Sequence, residues 1–247
     1  MIKLRTIIFI LLINFWLHNI ANAQTYQLQS IDGSNVQVEV AYRPSIKTLV
    51  IACAKDTIYL TDYWALDTAI VLNGSFLQVS YARRAGSNEG LAYTVLLCVD
   101  HNKLVQAMHI KSFSEYDMRN LNHIKGNINE YQLFKVKTQL LESDKASYKL
   151  NLLVHDESSS ERTPKTNYNY DEEVTLNFDP KQNIFYTTHE YMSKSFTIYN
   201  PKSQKEIKRN VSGVVPMITI GENSYYYIKD EWYQKESTGY LLKCTYK

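Results

Sequence analysis

The chain has almost no excess of either charge, with 27 lysines and arginines against 25 aspartates and glutamates in 247 residues. Lys3 and Arg5 account for the whole surplus, so residues 24–247 are neutral when their histidines are uncharged. Nucleic acids and anionic membranes attract basic surfaces. A neutral chain with no long basic run gives no electrostatic basis for either partner.

Local catalytic motifs are missing as well. The chain contains no G-x-S-x-G, H-E-x-x-H, C-x-x-C, Walker A or G-x-G-x-x-G pattern, which are the motifs that place nucleophiles, metal ligands and phosphate cradles at fixed spacing. Carboxylate pairs and triads that assemble from distant positions leave no such trace. The sequence therefore predicts no catalytic residue, but a hydrolase with dispersed carboxylates stays open.

No metal or other cofactor is predicted either. The six histidines are scattered, and a metal site would need several of them to converge. Residues 167, 169 and 171 have the alternating oxygen ligands that begin a calcium loop. The loop pattern then fails, because Glu172 stands where glycine is needed and Phe178 stands at the twelfth position. A solvated acidic loop is the favoured interpretation.

Cysteine is scarce, with Cys53, Cys98 and Cys244 only. Cys53 and Cys98 lie within apolar runs typical of strand interiors, where a thiol acts as a small buried hydrophobe. An odd number of cysteines in an exported chain leaves a Cys53–Cys98 disulfide as the alternative. A catalytic thiol has no local motif in its support.

The first 23 residues have the composition of a cleavable signal peptide. Lys3 and Arg5 precede an apolar run at 7–17, and Ala21-Asn22-Ala23 is an A-x-A cleavage site before Gln24. The run is too short to span a bilayer, so no membrane span is expected in the mature chain. We expect export to the periplasm or beyond the cell.

Residues 66–111 predict four antiparallel strands that organise the rest of the chain. Asn73-Gly74 between apolar runs predicts a two-residue type I′ hairpin, with Leu72 opposite Ser75. That register gives one shared face. It carries Leu66, Ile70, Leu72, Leu77, Val79 and Tyr81.

Residues 91–111 predict the other hairpin of this meander, with Val99 opposite Leu104. One of its faces carries Tyr93, Val95, Leu97, Val99, Leu104, Met108 and Ile110; the other carries Thr94, Leu96, Cys98, Val105, Ala107 and His109. Both are largely apolar, and a sheet that is apolar on both faces must be covered on both.

Similar alternation in the remaining segments predicts an all-β, mainly antiparallel fold. The expected architecture is a hairpin- and meander-rich β-sandwich or partly closed sheet with at most one or two short helices.

Ser114 and Asp117 suggest a capping box for one helix near 114–126, and the sixteen polar residues 156–171 suggest a loop. We expect one β domain over 24–247, with a possible sub-boundary near 112–130. No internal repeat supports a propeller or solenoid.

Twenty tyrosines are the compositional peculiarity. They cluster at residues 225–227 beside Trp232 and Tyr233, and at Tyr168 and Tyr170. On a strand, alternate residues share a side, so Tyr225, Tyr227, Trp232 and Tyr233 are the candidate ligand-binding residues of an exposed platform for a sugar or a protein partner. The alternative is that tyrosine is simply a favoured strand residue.

The leading hypothesis is an exported, non-enzymatic binding or scaffolding protein. A glycan or envelope-polymer hydrolase and a carbohydrate-binding module with a Tyr/Trp platform are the alternatives. The partner is unknown from the sequence, and a glycan or another envelope protein is the candidate.

Overall fold

The computed structural model describes residues 21–54, 56–86, 89–119, 129–141, 147–200, 205–235 and 241–243. Within these ranges the chain forms seventeen strands, two short 3-10 helices at Pro44–Ile46 and Pro164–Thr166, and no α-helix. The strands are β1 Ala21–Gln29, β2 Asn35–Arg43, β3 Thr48–Cys53, β4 Asp56–Leu60, β5 Tyr63–Leu72, β6 Phe76–Arg83, β7 Glu89–Asp100, β8 Lys103–Asp117, β9 Glu130–Leu141, β10 Lys149–Ser160, β11 Tyr168–Asp179, β12 Ile184–Tyr186, β13 Thr188–Asn200, β14 Lys205–Ile220, β15 Asn223–Ile228, β16 Glu231–Lys235 and β17 Leu241–Lys243. The predicted signal peptide, apart from residues 21–23, lies outside the described residues.

The strands form three sheets in which neighbours pair antiparallel. The first has the order β1-β2-β3-β4, and the second the order β12-β11-β10-β9-β8-β7-β6-β5. The third runs from β13 to β17, and its last strand meets its first at one parallel pair, Ile198 with Leu241. The predicted all-β, mainly antiparallel, sandwich-like fold is therefore confirmed.

Strands β6 to β8 carry buried apolar side chains on both faces, as predicted. One face packs against β1–β4 in what we call the first core, which includes Leu28, Val38, Val40, Leu49, Ile51, Leu77, Val79, Tyr81, Val95 and Leu97. The opposite face packs against β9–β12 and β14–β16 in the second core, which includes Phe76, Leu96, Cys98, Met108, Ile110, Leu150, Leu152, Leu176, Phe185, Ile218, Tyr225 and Trp232. Burial of both faces is what the two-sided apolar pattern requires.

The register predicted for the first hairpin is wrong by one residue. Asn73 and Gly74 have the expected positive φ, but the turn also includes Ser75, whose N–H donates to the carbonyl of Leu72 at 3.2 Å. Leu72 therefore pairs with Phe76. Because side chains alternate, the slip changes which residues of β5 face inward, and Ile70 is 46% exposed.

A bulge in β8 overturns part of the predicted face assignment in the second hairpin. Leu96 pairs with Met108 and Leu97 with Gln106, so Ala107 is the extra residue. Met108 and Ile110 consequently point into the second core instead of the first.

The same bulge turns the His109 side chain to the opposite face, toward Tyr81 of the first core. It is fully buried, with its Nε2 atom 3.0 Å from the Tyr81 hydroxyl and its Nδ1 atom 3.0 Å from Gln106 Oε1. Tyr81 and Gln106 thus engage both ring nitrogens of this histidine. The bulge places a polar ring where the alternation had predicted an aliphatic side chain.

The predicted helix and the predicted long loop are also corrected. Ser114 and Asp117 lie within β8, so they cap no helix; residues 120–126 of that prediction lie outside the described residues. β10 extends to Ser160 and β11 begins at Tyr168, which leaves only residues 161–167 between them. The strand extensions are polar because they project beyond the core, where the backbone ladder suffices to pair them.

Strands β8 and β9, which flank the predicted sub-boundary, pair with each other from Phe113 opposite Lys135 to Asp117 opposite Tyr131. The second core also draws side chains from both sides of that boundary. The number of domains stays a prediction. Across the described ranges, no helix is long and apolar enough to cross a membrane.

Candidate functional site

The space between β6–β8 and β9–β12 is filled at one end by aromatic rings. Phe76 lies 4.9 Å from Tyr148, 5.8 Å from Phe178 and 5.4 Å from Phe185, measured between ring centroids. These rings interlock edge-to-face or tilted, which is the preferred aromatic geometry. We call this the closed end of the second core.

The same strand face becomes polar further along. From Phe76, every second residue of β6 is Gln78, Ser80 and then Ala82, and Thr94 on β7 lies beside Ser80. After Phe76, the side chains on this face of β6 are small or polar, whereas large apolar side chains would be needed to fill the core. The space they leave is a cleft of about 600 Å³, within the size range of small-molecule sites.

This polar cleft is lined mainly by neutral hydrogen-bonding and small side chains. They include Gln78, Ser80, Ala82, Thr94, Ser112 and Thr138. The hydroxyls of Ser80 and Thr94 are 2.8 Å apart, and the Thr138 hydroxyl donates to Gln78 Oε1 across the cleft. Thr94 and Ser112 are buried, so the floor presents hydroxyl groups with well-defined positions.

The cleft exists because two neighbouring strands separate. β9 pairs with β8 only up to Lys135 opposite Phe113. Beyond that point β9 continues to pair with β10, with Thr138 opposite Leu152, while β8 continues to pair with β7. The opening between the diverging strands is not filled, because the side chains facing it are small.

Charge is sparse around the cleft. Asp67, Lys135 and Lys137 also line it, so among the described residues a single carboxylate faces this space. Glycoside hydrolysis generally uses two carboxyl groups on opposite sides of the scissile bond. The lining therefore suits recognition by hydrogen bonds better than acid–base catalysis.

The predicted aromatic platform is wrong, because all four of its residues are buried. The exposed fractions of Tyr225, Tyr227, Trp232 and Tyr233 are 0, 6, 1 and 1%. The first three face the second core, and the indole N–H of Trp232 donates to the carbonyl of Gln106 at 2.8 Å. These rings cover the second core from the third sheet, so none is free to stack on a ligand.

Tyr233 belongs to a third, smaller cluster with Tyr226, Met192 and Val215. Its hydroxyl donates to Glu231 Oε2 at 2.7 Å. Tyr227 also borders a smaller cavity, which Asp100 and Asn183 line as well.

Of the two tyrosine clusters, the exposed one is Tyr168 and Tyr170, on the polar extension of β11. Their rings are 6.0 Å apart, and both hydroxyls donate to the Asp156 carboxylate, at 3.1 and 3.4 Å. Partial burial, and then the negative charge of Asp156, raise the pKa of Tyr168 to about 12. Both tyrosine clusters were visible in the sequence, but only packing decided which one is exposed.

The alternative disulfide is wrong and the buried-thiol interpretation is confirmed for two of the cysteines. Cys53 lies in the first core and Cys98 in the second, and both are free and buried. The Cys98 thiol lies 3.6 Å from the carbonyl of Asn183, and burial raises its pKa. Cys244 lies outside the described residues.

One group of metal-ligating side chains occurs within the described ranges, formed by Asp32, Asp100 and His101, whose ligand atoms lie within 4.8 Å of one another. Asp32 accepts hydrogen bonds from the backbone N–H and hydroxyl of Ser34, which lower its pKa to about 2. Asp100 Oδ1 lies 2.8 Å from His101 Nδ1. These contacts are accounted for by the turns in which the residues lie.

Sequence reasoning missed the cleft residues. A signal was present, because Gln78 and Ser80 interrupt the apolar face of β6 and Thr94 does so on β7. Its meaning depends on β9, which brings Thr138 from sixty residues away. Comparison of the chain with protein-family models, with curated proteins and with solved structures gave no match.

Proposed function

We propose that this chain is a non-catalytic binding protein that acts outside the cytoplasm, and that the polar cleft holds a hydroxyl-rich ligand such as a saccharide. The observation that carries the proposal is the unfilled cleft of about 600 Å³ whose floor is made of hydroxyl and amide groups. Hydroxyls donate and accept hydrogen bonds, as sugar hydroxyls do. Protein interiors are otherwise closely packed, so a polar opening between diverging strands is a natural ligand site.

Binding to a saccharide array, followed by calorimetry with the saccharide that binds best, tests the ligand class. Ala82→Leu places a larger apolar side chain in the cleft and is expected to weaken binding by about tenfold or more. Ala52→Leu is the matched control, because Ala52 is a half-buried strand alanine on β3, away from the cleft. Equal affinity of the two variants for the saccharide would place its site elsewhere.

The non-catalytic part of the proposal is tested by incubating the bound saccharide with the protein and measuring new reducing ends. None are expected, because Asp67 is the one carboxylate among the described residues that line the cleft. Their appearance in the wild type and loss in Asp67→Asn would identify a hydrolase instead. Export is tested separately by N-terminal sequencing of the mature protein, which is expected to begin at Gln24.

A further inference from the structure

A second bulge in β8 lies beside the polar cleft. Lys111 and Phe113 pair with consecutive residues of β7, so Ser112 between them is the extra residue. Bulges redirect side chains and are frequent next to functional sites. Ser112 and Phe113 both line the cleft, so this bulge contributes two neighbouring side chains to one wall.

Ser112 supplies a hydroxyl group without a partner. The residue is 7% exposed, and within the described ranges its hydroxyl forms no hydrogen bond. The Ser80 and Thr94 hydroxyls of the same lining bond to each other at 2.8 Å. A buried hydroxyl without a partner costs free energy. Because Ser112 lines the cleft, a ligand there can supply the missing hydrogen bond.

Phe113 supplies an aromatic ring. It is half-buried, and it is the one aromatic residue among the described residues that line the cleft. The ring packs so closely on Gly90 of β7 that a Cβ atom at Gly90 would lie 2.7 Å from a ring carbon. The negative face of an aromatic ring attracts weakly positive C–H groups, which a sugar ring presents on its apolar side.

Two lysines lie on one side of β9 at the same cleft. Lys135 pairs with Phe113, and residues that pair across strands share a face of the sheet. Lys137 follows two residues later, so it lies on the same side of its strand. Both lysines line the cleft and both are exposed. Their ammonium groups can therefore reach a ligand held on the Phe113 ring.

Neither lysine charge is compensated by the neighbouring strand. On β10, Lys135 lies opposite His155. Lys137 lies opposite the apolar Leu153. Across the part of the chain that the structure describes, neither lysine makes an ion pair. Two ammonium groups against the single carboxylate of Asp67 give the described lining of the cleft a net positive charge.

We propose, building on the saccharide-binding function proposed for this cleft, that its ligand is an acidic saccharide carrying carboxylate groups, as uronic acids do. The carboxylate would lie at Lys135 and Lys137, the sugar ring on Phe113, and a sugar hydroxyl at Ser112. Hydrogen bonds between ammonium and carboxylate groups are stronger than neutral ones. A neutral saccharide would use the same ring and hydroxyl but would leave both lysine charges without a partner.

The test is calorimetry of the mature chain with oligomers of galacturonic, glucuronic and mannuronic acid, each beside the neutral galactose, glucose or mannose oligomer of the same length. We expect at least one uronic acid oligomer to bind about tenfold or more tightly than its neutral counterpart. Raising the salt concentration to about 0.5 M should remove most of that difference, because salt screens exposed charges.

Equal binding of the acidic and neutral oligomers would overturn the acidic ligand and leave the saccharide function standing. No binding of either series up to about 10 mM, and none on the saccharide array, would overturn both. Dextran sulfate that binds as tightly as the uronic acid oligomers, with no loss in Ala82→Leu, would show attraction of polyanions to the surface only and would also overturn the proposal.

The lysines are tested by replacing both, Lys135→Gln with Lys137→Gln. We expect affinity for the uronic acid oligomer to fall about tenfold or more, with little change for the neutral oligomer. Lys149→Gln is the matched control, because Lys149 is an exposed strand lysine on β10 outside the cleft. Equal affinities of the double variant and the control for the acidic oligomer would overturn the role of the two charges.

The bulge residues should affect both ligand series alike. Phe113→Leu and Ser112→Ala are each expected to weaken binding of acidic and neutral oligomers by about threefold to tenfold. Ser114→Ala is the control, a half-buried serine of β8 outside the cleft lining. Melting temperatures measured alongside confirm folding. Unchanged affinity in both bulge variants would contradict the proposed position of the sugar.

Discussion

The two ends of the space between β6–β8 and β9–β12 are built on the same strands and filled in opposite ways. At the closed end, Phe76 packs against three other aromatic rings. Four and six residues further along β6, Ser80 and Ala82 line an open cleft. Strand alternation alone does not make a core, because the volume of the side chains and the pairing of the opposite strand decide whether the space closes.

Phe76→Ala should have the largest effect, since it removes the ring at the centre of the closed end. Its side chain is fully buried, so we expect a loss of about 3–5 kcal/mol in the free energy of unfolding. Urea denaturation measures this. Ser80→Ala at the open end should change the same quantity by less than about 1 kcal/mol. Similar losses for both variants would mean that the cleft is packed in solution.

The next largest difference is expected when an alanine is replaced by leucine in the packed second core and in the open cleft. Ala107→Leu adds volume to the fully buried bulge in the second core and should destabilise the protein by about 1–3 kcal/mol. Ala82→Leu adds the same atoms to the open cleft and should change stability by less than about 1 kcal/mol. The midpoint of urea unfolding checks both. A costly Ala82→Leu would show that the cleft has no room for a ligand of that bulk.

Thr138→Val tests the hydrogen bond that crosses the cleft to Gln78. Valine keeps the shape of threonine but loses the donor, and we expect a loss of about 0.5–1.5 kcal/mol because this pair is partly buried. Thr175→Val is the control. Thr175 donates to Asn151 Oδ1 at 2.9 Å on the exposed surface, where water can replace the lost partner, so its unfolding midpoint should hardly move.

The smallest expected effect concerns the β1–β2 turn that covers the closed end. Ile31 packs against the second core and its N–H donates to the carbonyl of Val99 at 2.8 Å. In the same turn the two Ser34 hydrogen bonds hold the Asp32 pKa at about 2, below the ordinary value of about 3.9. The stabilisation that this carboxylate contributes is present above about pH 4 and lost as the pH falls to about 2.

Asp32→Asn should therefore lower the melting temperature by about 1 °C at pH 6, and the difference from the wild type should vanish toward pH 2. Thermal melts across that range measure it. A constant difference at every pH would mean that ionisation of Asp32 does not contribute to stability.

Much of the fold was readable because alternation reports burial directly. Val36, Val38 and Val40 alternate with polar residues on β2 and are all buried. The register was less readable. Ser75 is part of the turn and Ala107 forms a bulge, and each shifts the strand register by one residue. Neither feature has a local sequence pattern from which it could be predicted. Because side chains alternate, one extra residue moves every later side chain to the other face.

The residues of the proposed binding cleft could not be predicted from the sequence. Tyr225 and Tyr227 are chemically the same as Tyr168 and Tyr170, yet the first two are buried in the second core and the last two are exposed. Gln78 meets Thr138 only because β9 leaves β8 at Lys135. Such contacts depend on where distant strands separate, and no window of the sequence contains both partners.

By itself, the order of amino acids determined that the chain would be extended and that residues 91–111 would be buried on both sides, because period-two burial is a local property of a strand. Only the tertiary structure determined where the strands pack against one another and where neighbouring strands separate. That outcome depends on turn length, bulge position and strand divergence acting together over long separations. The polar cleft is a product of that long-range geometry.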